Sequence, residues 1–557
     1  MKNRIKQYLL AASMCVGLTA CSDFFEPIPG VQFGLDETFA SKQRTEEYLN
    51  NVYSYVREVT DAIHPNTYGG IFTEASLDGA NRWNKTYAEW TNGSFNSASA
   101  QASEYFSKYY QAIAKASTFI QNVDKCTEAA ASTRGKWKSE ARALRAYYYF
   151  ELLRLYGPIP LIGEDPIPLD ASLEELIKER NSVDECVNFI ATELQSAIDS
   201  GDLLQRAGKA NLGRMDVATC MALKAKLYLY WASPLFNGNT DQASVKNKDG
   251  KQLFPQTEDN SKWTQARDAY ERFMTFATGQ GYKLTEVYTN GKLDPYASCR
   301  AAGEFFTTTW EAVDELIFVK LRDLYDYTYW VCPKFTDFQD TDVTGGGGYY
   351  TTQETVDLFF TKDGLTIEEA PGYDKFEGIP GANNFTSGRY YDPNNPSRLY
   401  FDADKSKVLK QWKDREPRFY VNITYSGSIW LNEGKYNEEM RTDFTNGANG
   451  TCGKSKASGD CPDSGYLIRR GAKASNNNGS KHFSPVLRLA DMYLGYAEAL
   501  CMCSDLDNAL TYLNKIRVRA GIPEYTFTAT AGKITCPKTQ TDLLNRIRRE
   551  RLVELVF

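Results

Sequence analysis

Residues 81–90 read NRWNKTYAEW and combine side chains suited to a ring-shaped, polar ligand. Flat aromatic rings stack on the apolar C–H face of a sugar, and amide or charged groups hydrogen-bond to its hydroxyls. The segment falls between two helical patterns, so we expect a loop that displays these side chains. The candidate contacts here are Asn81, Arg82, Trp83, Asn84 and Trp90.

A second aromatic segment, RDLYDYTYWVCPKF, covers residues 322–335. Its aromatic residues alternate in part, and alternation can display one set toward a ligand. The alternative for any aromatic residue in either segment is a place in the hydrophobic core. The candidate contacts here are Tyr325, Tyr327, Tyr329 and Trp330.

Bond-breaking chemistry has less support. The chain has only two histidines, His64 and His482, far apart in sequence, which disfavours a His-rich metal site and a Ser-His-Asp triad. No C-x-x-C pair and no G-x-x-x-x-G-K-[ST] loop occurs. Catalytic carboxylates remain an alternative because there are 71 acidic residues, but no motif locates them.

Half of a calcium-loop pattern is present at Asp340-x-Asp342-x-Thr344-Gly345. The twelfth position, where such loops carry a bidentate Glu, is Thr351. We therefore expect no cofactor, with a structural calcium ion as the alternative.

Composition and net charge indicate which classes of binding partner are compatible with the chain. The chain of 557 residues is 42% hydrophobic and carries a net charge of −7, typical of a folded soluble body and not of a nucleic-acid binder. There are 36 Tyr and 9 Trp, enough for both packing and stacking on a ligand.

The first 20 residues are typical of a targeting segment. Lys2, Arg4 and Lys6 precede a short apolar stretch, and Leu18-Thr19-Ala20-Cys21 resembles a bacterial lipobox. That resemblance implies cleavage before Cys21, its lipidation and a membrane anchor, whereas an ordinary secretory signal is the alternative. The acidic residues after Cys21 resemble surface-export signals of Bacteroidota lipoproteins.

Ten cysteines remain after Cys15 and Cys21. An exported protein can pair them, and Cys452 with Cys461 is the best local candidate for a disulfide. Cys501 and Cys503 lie on a helical pattern and are interpreted as small core residues.

Apolar residues at 3–4 spacing predict a mainly α protein. The patterns cover residues 46–59, 102–123, 136–156, 182–199, 216–232, 263–277, 485–503 and 506–520, and a last one begins near Thr541. Ser182 with Glu185 forms a capping box, and Gly521 ends a helix. Alanines at crossing positions indicate tetratricopeptide-like helix pairs.

Long irregular insertions with a few short strands, including Val421–Tyr425, interrupt the helices. Residues 21–557 are interpreted as one body, with a helical scaffold at about 40–235, 262–278 and 485–557. Ligand-facing insertions lie at about 61–97, 237–260 and 280–484, and Gly345–Gly348 is interpreted as a flexible run. The last helix carries Ile547, Leu552, Leu555 and Val556 along one face without a cap, so we expect the native chain to continue beyond Phe557.

Several sequence blocks in chain order resemble the SusD/RagB family. They include WKSEARALRAYYYFELLRLYGPIPL (137–161), GRMDVATCMALKAKLYLY (213–230), DELIFV (314–319), TQETVDLFFTKDGLTI (352–367), DREPRFYVNI (414–423), PVLRLADMYLGYAEAL (485–500), NKIRVRAGIP (514–523) and IRRERLVEL (547–555). At position 416 the chain has Glu where the family pattern has Asp.

The resemblance implies a scaffold of four tetratricopeptide-like helix pairs and a lipid-anchored protein on the outer face of the outer membrane. It also implies capture of oligo- or polysaccharide and its delivery to a TonB-dependent (SusC-like) transporter, without enzymatic activity. In the family the region just after Glu74 and Asp78 contributes to the binding face, which adds Asp78 to the candidates. The alternatives are a peptide- or glycoprotein-binding member of the same scaffold and, from another class, a surface glycoside hydrolase.

Overall fold

The computed structural model of the protein describes part of the chain, and everything below concerns that part. The described residues are 34–57, 76, 78–82, 89, 93–163, 171–303, 314–322, 329–335, 345–375, 378–430, 440–445, 452, 460–472 and 482–557. Across these ranges no helix is both long enough and apolar enough to cross a bilayer.

Helices dominate the described residues. They are α1 (Leu35–Ala40), α2 (Lys42–Tyr53), α3 (Ala100–Asn122), α4 (Ala131–Tyr156), α5 (Leu173–Leu176), α6 (Val183–Asp199), α7 (Val217–Ala232), α8 (Ser261–Gly279), α9 (Pro295–Gly303), α10 (Gln353–Leu358), α11 (Pro417–Asn422), α12 (Leu489–Met502), α13 (Leu506–Ala520) and α14 (Gln540–Glu554).

Local signals in the sequence explain several helix ends. The Ser182 hydroxyl accepts from the Glu185 amide and the Glu185 carboxylate accepts from the Ser182 amide, so the predicted capping box at α6 is confirmed. At α7 the Asp216 carboxylate accepts from the Thr219 amide at 2.7 Å. Gly521 ends α13 in the left-handed conformation.

Two boundary predictions are wrong, and one residue of the predicted apolar stripe in the last helix is exposed. The predicted helix at 485–503 begins only at Leu489, because Pro485 lies in a strand that pairs with Val319. The predicted strand from Val421 is helical through Asn422 and extended only from Ile423. In the last helix Leu552 is 52% exposed, so it does not belong to a buried stripe with Ile547 and Val556.

The scaffold is a row of helices in which each packs on the next. Contacts run from α3 to α4, α6, α7, α8 and α12, and α12 in turn contacts α13 and α14. Ala218, Ala222 and Ala225 on α7 are fully buried, which lets the neighbouring helices approach closely. The predicted mainly α, tetratricopeptide-like architecture is confirmed.

The consecutive tyrosines of α4 belong to this core. Tyr147, Tyr148 and Tyr149 are each exposed by 1% or less. The Tyr149 hydroxyl donates to the Ile162 carbonyl at 2.7 Å, and that of Tyr148 donates to the Val52 carbonyl at 2.5 Å. These three tyrosines therefore serve packing and not ligand contact.

Short strands come mainly from the insertions. They are β1 (Ala80–Asn81), β2 (Tyr288–Thr289), β3 (Lys292–Leu293), β4 (Leu316–Arg322), β5 (Tyr349–Tyr350), β6 (Arg389–Asp392), β7 (Asn395–Asp402), β8 (Ile423–Tyr425), β9 (Tyr466–Ile468), β10 (His482–Arg488), β11 (Tyr525–Thr526) and β12 (Ile534–Thr535). In the described residues the largest sheet has the order β1-β5-β9-β8, and β4 pairs with β10.

A buried ionic cluster joins the last helix to the insertions. Glu554 accepts from Arg488 at 2.6 Å and from Arg418 at 3.2 Å, and it also pairs with Arg519. Glu416, the departure from the family pattern, accepts from Arg418 at 2.6 Å and from the Phe360 amide at 2.9 Å. The remaining members are Glu315, Arg517 and Glu550.

Candidate functional site

Strand β1 holds the start of the first aromatic segment. Asn81 is paired with Tyr349 in antiparallel register, and the Arg82 amide donates to the Gly348 carbonyl at 3.0 Å. Residues 80–82 therefore form the edge of the four-stranded sheet, next to the glycine run.

The glycine run Gly345–Gly348, which we call the strap, is tightly held. All four glycines are buried, so the prediction of a flexible run is wrong. Each strap amide donates to a backbone carbonyl of the second aromatic segment. In chain order the four acceptors and distances are Pro333 at 3.0 Å, Tyr329 at 2.7 Å, Cys332 at 2.9 Å and Trp330 at 3.3 Å.

Close packing explains why glycines stand in the strap. A Cβ on Gly345 would lie 2.4 Å from the carbonyl oxygens of Tyr329 and Cys332. One on Gly346 would lie 2.7 Å from the Trp330 ring. Any larger residue would push the strap away from the aromatic segment.

Tyr329 and Trp330 form an edge-to-face pair beside the strap. Their ring centroids are 5.1 Å apart at an angle of 83°, and both side chains are half-buried. Trp330 packs on a group that we call the strap cluster, so its ring is supported from behind. The strap cluster comprises the buried residues Val331, Cys332, Phe335, Tyr349, Trp430, Met440, Cys452, Ile468 and Ala472.

Arg82 is held by the loop that precedes β9. Its guanidinium forms an ion pair with Asp463 and donates to the Cys461 carbonyl at 3.4 Å. The Arg82 side chain is 18% exposed and that of Asp463 is 52% exposed, so this pair remains open to a polar ligand. Nearby in sequence, Asp460 pairs with Lys334 at 2.5 Å.

Asp78 lies two residues before β1 and is partly buried. Its carbonyl accepts from the Thr351 hydroxyl, and its carboxylate accepts from the Ser76 hydroxyl at 2.9 Å. Burial raises the pKa of the Asp78 carboxyl, and the Ser76 hydrogen bond opposes that shift.

The structure thus brings the two predicted segments together. Gly348 links them directly, because its carbonyl accepts from Arg82 while its amide donates to Trp330. We call the resulting patch the candidate surface. It consists of Asp78, Arg82, Tyr329, Trp330 and Asp463 around the strap.

Several predictions fall elsewhere. For Asn81 the structure describes the backbone position in β1. Outside the described residues lie Trp83, Asn84, Trp90, Tyr325, Tyr327 and Cys21. Of the calcium half-motif, Asp340, Asp342 and Thr344 also lie outside them. Cys452 and Cys461 are both buried, and the structure does not form the disulfide predicted between them.

Sequence reasoning missed the partners that complete the candidate surface. Asp463 pairs with Arg82 across 381 residues of chain, and no spacing motif signals such a contact. The strap offered a signal, since four consecutive glycines permit close backbone approach as well as flexibility.

A mainly α, tetratricopeptide-like scaffold with an aromatic and polar patch beside it defines the class of fold, and comparison with known proteins gives the family. The SusD family model matches residues 315–557. A related model, described as starch-binding and associating with the outer membrane, matches residues 32–229. The two models together span most of the chain, and the protein belongs to the SusD/RagB family.

Individual relatives agree. A SusD-like protein of Bacteroides ovatus is 27% identical over 175 residues, which is 30% of this chain and 30% of that protein. The solved structure of BT4246 is 24% identical, with a TM-score of 0.73 over 92% of this chain and 87% of its own. A SusD-like carbohydrate-binding protein of Bacteroides fragilis is 18% identical, with a TM-score of 0.61 over 93% and 84% of the two chains. These structures share the fold of the protein.

Proposed function

We propose that the protein is a cell-surface lipoprotein that captures oligo- or polysaccharide at the candidate surface. In this proposal it delivers the glycan to a TonB-dependent transporter of the SusC type. The observation that carries the proposal is the junction at Gly348, where a partly exposed arginine–carboxylate pair meets two half-buried aromatic rings.

The chemistry of the candidate surface supports a saccharide ligand. A pyranose presents an apolar C–H face, which stacks on the supported Trp330 ring, and a rim of hydroxyls. Arg82 supplies donors for those hydroxyls and Asp463 supplies acceptors. The name of the B. fragilis relative, a carbohydrate-binding protein, and the family description as starch-binding favour the same class of ligand.

Binding without cleavage is the proposed activity. The sequence carries no motif that locates the pair of catalytic carboxylates that glycoside hydrolysis requires, and a relative with the same fold is named as a carbohydrate-binding protein. We therefore propose no catalytic residue and no cofactor.

The test is binding of a polysaccharide and peptide panel by affinity electrophoresis and calorimetry. Trp330→Ala should weaken binding of the recognised glycan by about 1–3 kcal/mol, by analogy with bases stacked on aromatic residues. Arg82→Gln should also weaken it, without removing a packed ring. The matched control is Tyr288→Ala, since Tyr288 is a 60% exposed tyrosine on β2, outside the candidate surface.

Three outcomes would contradict the proposal. If folded Trp330→Ala, Arg82→Gln and Tyr288→Ala bind the glycan with equal affinity, the candidate surface is not the binding site. Binding of peptides but of no glycan would favour the peptide-capturing alternative. Shortened saccharide products in the incubation would favour the hydrolase.

The anchor and the transporter need separate experiments. Cys21→Ala should release the protein from the membrane fraction into the soluble fraction of the producing cell. Affinity purification of the lipidated protein should recover a TonB-dependent transporter. A soluble wild-type protein, or a purification without such a transporter, would contradict these parts of the proposal.

A further inference from the structure

Arg469 is an exception among the buried arginines. Eight arginines of the described residues are more than nine-tenths buried. Seven of them donate side-chain hydrogen bonds to a carboxylate or a backbone carbonyl: Arg145, Arg415, Arg418, Arg470, Arg488, Arg517 and Arg519. The guanidinium of Arg469 has no hydrogen bond or ion pair to any described residue.

The place of Arg469 in the fold is well defined. It follows β9 directly, and its amide donates to the Asn422 carbonyl at 2.7 Å. Its guanidinium carbon lies 5.5 Å from the centroid of the Trp430 ring. Trp430 and the preceding residue, Ile468, belong to the strap cluster, on which Trp330 packs. Arg469 and Trp330 of the candidate surface therefore both pack on the strap cluster.

The surroundings do not neutralise this cation. Its electrostatic neighbours are Tyr296, Tyr425 and a second cation, Arg300, and burial lowers the pKa of Arg469. A contact with one aromatic face recovers only part of the hydration free energy that a guanidinium loses on burial. A buried cation of this kind is expected to meet an anion.

The guanidinium also keeps hydrogen-bond donors that no described residue uses. Of its nitrogens, only Nε is both sealed from solvent and without a partner. Nη1 and Nη2 also have no hydrogen-bond partner among the described residues, but they retain some contact with solvent, so both can donate to a ligand. Two parallel N–H donors of this kind match a carboxylate or a sulfate in bidentate geometry.

We propose that Arg469 binds an anionic group of the captured glycan, a uronate carboxylate or a sulfate ester, beside the strap cluster on which Trp330 also packs. This inference rests on the proposed function and narrows its ligand to acidic glycans. It assigns to Arg469 a selectivity that Trp330 and Arg82 do not supply.

The experiment compares matched pairs of polymers on the full-length protein. Polygalacturonate is tested against its carboxyl-reduced form, and a sulfated galactan against its desulfated form. Wild-type protein should bind one acidic polymer at least tenfold more tightly than its neutral counterpart, and the pair that shows the preference identifies the anion. Arg469→Gln should bring that ratio close to one. Arg272→Gln, which removes an equal charge from an exposed position on α8, should leave it unchanged.

Arg469→Lys covers the case in which the Gln variant fails to fold. Lysine keeps the positive charge but cannot donate two parallel N–H bonds, so the ratio of acidic to neutral polymer affinity should fall at least threefold. The inference is overturned if wild-type protein shows no preference for either acidic polymer, or if folded Arg469→Gln or Arg469→Lys retains the full ratio. Binding of neutral glycans at the candidate surface without an acidic preference refutes the inference alone. Absence of all glycan binding refutes the proposed function as well.

Discussion

Substitution of Gly345 by alanine should damage the protein by a route that can be worked out from the strap. The new Cβ would lie 2.4 Å from two carbonyl oxygens, whereas ordinary contact begins near 3.4 Å. The strap must therefore move by about 1 Å or the aromatic segment must yield.

A shift of that size breaks specific hydrogen bonds. The amides of Gly346 and Gly347 donate to the same two carbonyls, of Tyr329 and Cys332, at 2.7 and 2.9 Å. Lengthened by about 1 Å, both bonds pass the useful limit, at a cost of about 1 kcal/mol each. Together with about 1–2 kcal/mol for overpacking, we expect the free energy of unfolding to fall by about 3–4 kcal/mol.

Denaturant unfolding and glycan binding should be measured on the same samples. The control is Gly279→Ala at the end of α8, where a Cβ meets no atom within 4 Å. That variant should match or slightly exceed the wild-type stability, because alanine favours a helix. Gly346→Ala gives a graded comparison, because its Cβ meets movable rings instead of backbone. It should lose less stability than Gly345→Ala and still weaken glycan binding. If Gly345→Ala unfolds at the same denaturant concentration as Gly279→Ala, the packing of the strap is not what limits this region.

Two further predictions concern titration in the scaffold. Burial raises the pKa of the Asp216 carboxyl to about 6, so its contribution to stability is greatest below pH 4 and is lost as the pH rises through 6. In Asp216→Asn, urea unfolding between pH 4 and 7 should show a smaller decrease in stability than in wild type, and an identical pH profile would contradict this assignment. Burial alone would raise the pKa of the Glu554 carboxyl, but the guanidinium groups of Arg519, Arg488 and Arg418 outweigh burial and hold that pKa well below its usual range. The stabilisation that Glu554 contributes is therefore present above about pH 4.5 and is lost in acid. Glu554→Gln should lower the free energy of unfolding at pH 7 by about 3–5 kcal/mol and flatten the acid limb of the profile, and a stability equal to wild type would refute the role of the ionic cluster.

The helical scaffold was largely predictable because its signals are local. The Ser182–Glu185 capping box and the Gly521 terminator act within a few residues, and apolar periodicity located α3, α4, α6, α7 and α8 within a few residues of their bounds. The error at Pro485 shows the limit of this reasoning. Residues 485–488 pair with β4, which lies more than 160 residues earlier, and that pairing overrides a continuous helical pattern.

The candidate surface could be predicted only in pieces. Residue type indicated Arg82 and Trp330 as separate candidates, but nothing near either one predicts the strap that joins them. Hydrogen bonds from four glycine amides create that junction, and glycine has no side chain to mark its role. Asp463 could not be predicted as part of the surface, because a single acidic residue in a loop is common and carries no signal of its partner.

The buried ionic cluster gives a physical reason why scaffold and candidate surface fold together. Arg418 lies on α11, which leads directly into β8, and its guanidinium pairs with Glu550 and Glu554 on α14. Buried charges tolerate little displacement, because a lost partner leaves the other group desolvated and unpaired. The position of α14 therefore constrains the β8–β9 pair, and β9 in turn pairs with β5 next to the strap. A defect in the last helix should then reach the candidate surface through the sheet.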